Sequence, residues 1–200
     1  MFMKNDVRVP KQARSIEKKN KILQASYELF SEVGYFGTNT AEIAKRAGVS
    51  TGIVYGYFHD KRDILVCILD DYINNVASPV YEVLESAKTL DYQSLVPVIV
   101  DTAITAHKNN SKIHQVLHSL TATDDEVRKA FIKQEDTITE KFAERLVLLG
   151  ENKDGLNEKV HLGMNIVQSF CHEYVFDNHQ YINYDYMKSL VCNLVIGLFK

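Results

Sequence analysis

The sequence predicts an all-α fold of about nine helices. Three observations carry that reading. The 200-residue chain holds only three prolines and nine glycines. No alternating Val/Ile/Thr run bounded by an Asn-Gly turn marks a strand. Apolar residues recur at three- and four-residue steps almost from end to end. Hydrophobic residues make up 46% and charged residues 24% of the chain, as in a soluble globular protein.

The first helix begins near Ser15. Ile22, Leu23, Ser26, Leu29, Phe30 and Val33 mark one face, and Gly34 is expected to stop it as a C-terminal cap. Asn39-Thr40-Ala41-Glu42 reads as a capping box, with Asn39 as N-cap and Glu42 three positions on. It opens a second helix from about Thr40 to Ala47, ended by Gly48. Ser50 is the next expected N-cap and opens a short third helix from Thr51 to about Tyr57. Asp60 caps a long fourth helix, about residues 60–76, with Asp63 in its first turn.

Beyond Pro79 the body continues as helices. One spans roughly Ser94 to Asn109, with Pro97 in its first turn. A short one follows Ser111, and a longer one runs from about Asp125 to Leu149. Gly150 to Gly155 is the clearest loop. Two final helices cover about Asn157–Asn178 and Tyr184–Phe199.

No apolar run approaches the ~20 residues of a membrane helix. The N-terminal residues lack the apolar segment of a signal peptide. Cys67, Cys171 and Cys192 lie singly in apolar helical patterns, as reduced thiols of a cytoplasmic protein do. Charge is uneven. Residues 1–62 carry eleven Lys/Arg against six Asp/Glu, a net +5, whereas the remainder carries twelve against twenty, a net −8. A basic head on an acidic body fits a head that meets a polyanion.

The second and third helices are joined only by Gly48, Val49 and Ser50, the tight turn of a helix-turn-helix. Ala44 is small where the third helix crosses, and Gly48 takes positive φ. Ile43, Ala47, Val49 and Val54 pack the pair onto the first helix. Residues 38–65, TNTAEIAKRAGVSTGIVYGYFHDKRDIL, closely resemble the DNA-binding signature of tetracycline-repressor-type (TetR) regulators. The matching positions are Thr38, Ile43, Ala44, Ala47, Gly48, Val49, Ser50, Gly52, Val54, Tyr55, Tyr57, Phe58, Lys61 and Leu65. With the first helix the resemblance covers about residues 12–70. One departure is Gly56, where relatives often carry a polar or basic side chain; a glycine there weakens a short helix by roughly 1 kcal/mol against alanine.

The resemblance implies a DNA-binding domain at 1–62 and an effector-binding and dimerisation domain at 63–200; within the first, residues 1–14, with Lys4, Arg8, Lys11 and Arg14, read either as a basic arm reaching DNA or as a frayed terminus. It implies a cytoplasmic homodimer on a palindromic double-stranded operator, acting as a repressor released by a small molecule. Thr51 and Gly52 would meet base edges behind the Ser50 cap. Tyr55 and Tyr57 would meet phosphates or thymine methyls, Lys61 a phosphate, and Asn39 and Thr40 would set the second helix's N-terminus against the backbone. Val54 and Phe58 read as core, His59 as surface, and Lys45 and Arg46 as general attraction at most.

In the body, the last two helices are apolar on more than one face. In TetR-like proteins they form a four-helix bundle with the partner's copies, which assigns the dimer interface to Val167, Phe170, Cys171, Tyr174, Met187, Leu190, Val191, Leu194, Val195 and Leu198; ordinary core packing is the other reading, and both can hold at once. Tyr92, Asp101, His107, His114, His118, Phe131, Phe170 and Tyr174 are effector-pocket residues by side-chain type alone. His114 and His118 are spaced i, i+4, but no third ligand has matching spacing, so neither metal nor cofactor is expected. An enzyme is disfavoured because no Ser/His/Asp, Cys/His, Gly-rich phosphate-loop or His-Glu-x-x-His pattern occurs. The nearer alternative is a helix-turn-helix regulator with no small-molecule effector, controlled by a protein partner.

Overall fold

A computed structural model describes residues 13–200, and the described residues are helical with no strand among them. They form α1 (Ala13–Gly37), α2 (Thr40–Ala47), α3 (Thr51–Tyr57), α4 (Lys61–Ser86), α5 (Tyr92–Asn109), α6 (Ser111–Thr121), α7 (Asp125–Leu148), α8 (Leu156–His172) and α9 (Tyr184–Gly197). A π-helical turn, Glu173–Asp177, extends α8. No helix of the described residues is long and apolar enough to cross a membrane.

The chain divides into two compact units. One comprises the described residues up to Tyr72 together with Lys112–Ala130; the other comprises Ile73–Ser111 and Phe131–Lys200. In the first, α1 buries Ile22, Ala25, Ser26, Leu29 and Phe30; of the face its spacing predicts, Leu23 is half-buried and Val33 is exposed. Ile43, Ala44, Val54 and Phe58 are buried from α2, α3 and the residue that ends α3. Ile113, Leu117, Leu120 and Val127 are also buried in this unit.

Several helix ends differ from expectation. Gly34 does interrupt α1, at φ 79° and ψ 165°, a conformation open to glycine, but one more turn continues to Gly37. Helix α4 runs ten residues past Val76, straight through Pro79. An interior proline costs about 3 kcal/mol, yet the turn beyond it places Leu84 fully in a cluster with Phe142, Leu146, Leu156 and Val160, and half-buries Val80 and Tyr81 beside them. Burying such side chains is worth roughly 1.5–3 kcal/mol each, so packing outweighs the broken bond. Arg145 closes the end of α4, donating from Nη2 to the carbonyls of Glu85 (2.7 Å) and Ala87 (2.8 Å).

Helix α5 starts at Tyr92 because Asp91 caps it, accepting from Gln93 N at 3.1 Å. Pro97 is therefore inside the helix rather than in its first turn. The same logic holds: Val96, Val100, Ala103 and Ile104 are buried against Val167, Phe170, Val191 and Val195 of α8 and α9. The end predicted for α8 at Asn178 is where the π turn stops, with Asn178 left-handed at φ 47°.

Candidate nucleic-acid interface

The α2–turn–α3 segment is built by local hydrogen bonds. Asn39 Oδ1 accepts from Ala41 N (3.1 Å) and Glu42 N (3.0 Å), while Glu42 Oε2 accepts from Asn39 N (3.2 Å). This is the capping box the sequence spells. Gly48 is left-handed (φ 67°, ψ 32°), and its N–H reaches the carbonyls of Ala44 and Lys45. Val49 N then donates to Ala44 O at 3.0 Å, which fixes the turn.

Ser50 sits extended at the N-cap position, and its carbonyl accepts from Ile53 N (2.9 Å) and Val54 N (3.4 Å). Its side chain makes no cap bond, contrary to the sequence expectation. The hydroxyl stays at the exposed surface, where solvent competes with the cap. Asn39, Ser50, Gly52 and Tyr55 are exposed, and Thr40 and Thr51 half-buried. Tyr55 is 53% exposed and its hydroxyl lies 3.0 Å from Thr40 Oγ1, which ties the end of α3 to the start of α2.

Two expected contact residues turn inward. Tyr57 is only 8% exposed, and its hydroxyl hydrogen-bonds Ser15 Oγ at 2.7 Å. The reason is periodicity: Tyr57 is three residues from buried Val54 and shares its face. Lys61 Nζ donates to the carbonyls of Tyr35 and Thr38, both at 2.6 Å, and lies 4.2 Å from the Tyr35 ring centroid. Burial lowers its pKa.

Other cations of this unit are also engaged. Arg46 reaches Glu32 at 3.1 and 2.9 Å and Glu28 at 3.3 Å, binding α2 to α1 rather than standing as a free charge. Arg62 pairs with Asp124 at 2.9 Å, and Lys21 with Glu17 at 2.8 Å. Arg14, Lys18 and Lys45 are exposed. The Glu28/Glu32 pair, four residues apart on α1, was the overlooked signal for Arg46. Nothing in the sequence pointed to Ser15 or Asp124. Residues 1–12 of the expected basic arm lie outside the described residues.

The residues expected to line an effector pocket fall in both units. His114 and His118 belong to the first unit, where His114 Nδ1 hydrogen-bonds the Tyr72 hydroxyl and its ring lies 4.1 Å from that of His118. The others belong to the second unit. Asp101 is exposed and paired with Lys188 at 2.8 Å. Tyr92 stacks on Phe199 at 4.6 Å and hydrogen-bonds Glu151. His107 Nδ1 donates to Ala103 O of its own helix at 2.8 Å, and burial lowers its pKa. Phe170 and Tyr174 do meet, at 5.8 Å. Phe131 is half-buried.

The expected dimer seam is divided too. Val167, Phe170, Cys171, Val191 and Val195 are buried within the protomer's own core. Tyr174, Met187 and Leu198 are half-buried. Leu190 (44% exposed) and Leu194 (60%) remain outward, with Leu162 and Tyr186 also exposed. An open groove of about 370 Å³ runs beside them, lined by Asn165, Ile166, Ser169, Phe170, Met187 and Val191.

Comparison with known proteins agrees with the head's geometry. Residues 22–67 match the family model "Bacterial regulatory proteins, tetR family". The HTH-type transcriptional regulator HbdR of Aromatoleum sp. (strain CIB) is 30% identical over 140 residues, 66% of this chain and 56% of that protein. The HTH-type transcriptional regulator BetI of Escherichia coli O17:K52:H18 (strain UMN026 / ExPEC) is 31% identical over 93 residues, 46% of this chain and 48% of that one. The chain thus spans about half the length of these curated relatives, which are transcriptional regulators rather than enzymes. A TetR-family regulator from Syntrophomonas wolfei str. Goettingen shares the fold, with TM-score 0.71, 22% identity, and 92% and 95% of the two chains covered. The fatty acid degradation regulator FadR from Bacillus halodurans does so with TM-score 0.70, 18% identity, and 94% and 97% covered. Residues 22–67 thus match the tetR-type DNA-binding family, and the described fold is that of TetR-family regulators.

Proposed function

We propose that this chain is a cytoplasmic TetR-family DNA-binding transcriptional regulator that acts as a homodimer on a palindromic operator. The carrying observation is the edge made by exposed Ser50, Gly52 and Tyr55 with half-buried Thr51, set beside an α2 start held by a closed capping box. A small, uncharged leading edge lets α3 approach base edges in the major groove. The N-terminus of α2, at Asn39 and Thr40, meets the phosphate backbone through its amides and its positive dipole end.

Two-fold symmetry supplies the second head. Leu190 and Leu194 of α9 lie on an exposed apolar stripe with Tyr186, and Leu162 of α8 is exposed beside it. Exposed stripes of that kind mark association surfaces, and a second copy would cover this one. Two heads then engage half-sites about one helical turn, or a multiple of that, apart. The role is repression, relieved when a small molecule bound in the second unit changes the protein's affinity for the operator.

Footprinting on DNA flanking the protein's own gene tests the reading. A symmetric protected site that weakens steeply with salt supports it. No symmetric protection at low salt rejects it. A thermal-shift screen of metabolites and cationic drugs tests the effector: a compound that stabilises the protein and releases DNA is the expected result. Stabilisation by a protein partner alone would point instead to control without a small molecule.

A further inference from the structure

We infer that Lys61 is a positioning residue for DNA recognition, not a phosphate contact, and that it sets the start of α2 from inside the domain. This inference rests on the DNA-binding reading above. Lys61 is the first residue of α4. Its ammonium donates to Tyr35 O and Thr38 O, both at 2.6 Å, and stands 4.2 Å from the Tyr35 ring centroid. Two of its three donors are thus used within the protein, and the aromatic face supports the cation from a third side.

The two carbonyls are not arbitrary. Gly34 breaks the helical path of α1, so the peptides that follow lose the usual partners of a continuing helix. Thr38, 3% exposed, ties back to Gly34 O through its hydroxyl at 2.9 Å. Its own carbonyl goes to Lys61. The next residue is Asn39, whose side chain caps α2. One ammonium therefore joins the end of α1, the start of α2 and the start of α4. Moving it frees the peptide that carries the cap. The α2 amides and the Thr40 hydroxyl, which meets Tyr55 of α3 at 3.0 Å, depend on that peptide.

The test uses the full-length protein with Lys61→Met and Lys61→Gln. Gln removes the charge but keeps two N–H donors for the two carbonyls. The probes are mixed-sequence duplex DNA and a duplex selected from a random-sequence library. Binding is read across a salt series, well below the melting temperature of each variant, alongside amide hydrogen exchange of the free proteins. The expected result for Lys61→Met is about tenfold weaker binding to the selected duplex, the scale of a lost charged hydrogen bond. Its slope of log affinity on log salt equals that of the wild type, and exchange accelerates at Ala41 and Glu42. Lys61→Gln restores part of the affinity and the protection, and shows the same slope. A slope lower by about 0.9 in either variant identifies a phosphate contact and overturns the inference. So does unchanged exchange at Ala41 and Glu42. If Lys61→Met does not fold, Lys61→Gln decides alone. If the wild type binds neither duplex, the functional reading fails, while the exchange comparison still decides the role of Lys61.

Discussion

At the scale of single residues, the head is set by a few polar groups whose partners are close in space. Asn39 accepts two of these bonds at Oδ1 and donates a third from its backbone N–H to the Glu42 carboxylate. Replacing an N-cap Asn by Ala costs about 1 kcal/mol. Asn39→Ala should lower the unfolding free energy by that amount in urea titration, and weaken DNA binding because the α2 amides lose their acceptor. Histidines 107 and 172 govern pH behaviour. Burial lowers the pKa of both, and His172, with its ring centroid 5.9 Å away, further lowers that of His107. The folded state therefore takes up these protons later than the unfolded state does. The stability they contribute is fully present above about pH 6.5, the ordinary histidine value, and is lost as pH falls through the lowered folded values. Urea midpoints that drop between about pH 7 and about pH 5, with a smaller drop in His107→Gln, are the expected outcome.

At the scale of elements, α3 is the informative case. It has seven residues, no side-chain cap and a glycine in its last turn. A Cβ at Gly56 would meet nothing within 4 Å. Gly56→Ala should therefore raise stability by up to roughly 1 kcal/mol through backbone entropy alone, read as a higher melting temperature. Gly48→Ala should do the opposite, because φ 67° strains any side chain there. The pairing of α2 with α1 through Arg46, Glu28 and Glu32 is exposed, so its contribution is small and salt-sensitive. Its use is orientation more than stability.

At the scale of the whole molecule, the apolar stripe on α9 and the neighbouring face of α8 are the features a partner would cover. Introducing charge there, as Leu190→Glu with Leu194→Glu, leaves the protomer's own core untouched, since both side chains already face outward. If the proposed dimer forms through this stripe, sedimentation should show the variant as a monomer and the wild type as a dimer, with operator affinity lost and helical content kept in the variant. A wild type that sediments as a monomer at working concentration would contradict the dimer.

The sequence by itself determined the helical class, the caps at Asn39, Gly48 and Asp60, and the family signature, because each depends on contacts within a few residues. Asp60 shows this directly: its carboxylate accepts from Arg62 N and Asp63 N at 2.8 and 3.0 Å. The tertiary structure alone decided which outward-seeming residues turn in. Tyr57 finds Ser15, forty-two positions away, and Lys61 finds Tyr35 and Thr38, more than twenty away. It also decided that α4 and α5 pass through their prolines, and that Val167, Phe170 and Val195 serve the protomer's core rather than a free seam. Local hydrogen bonds are legible in a linear pattern. Burial is a sum over distant neighbours, and only the folded chain brings those neighbours together.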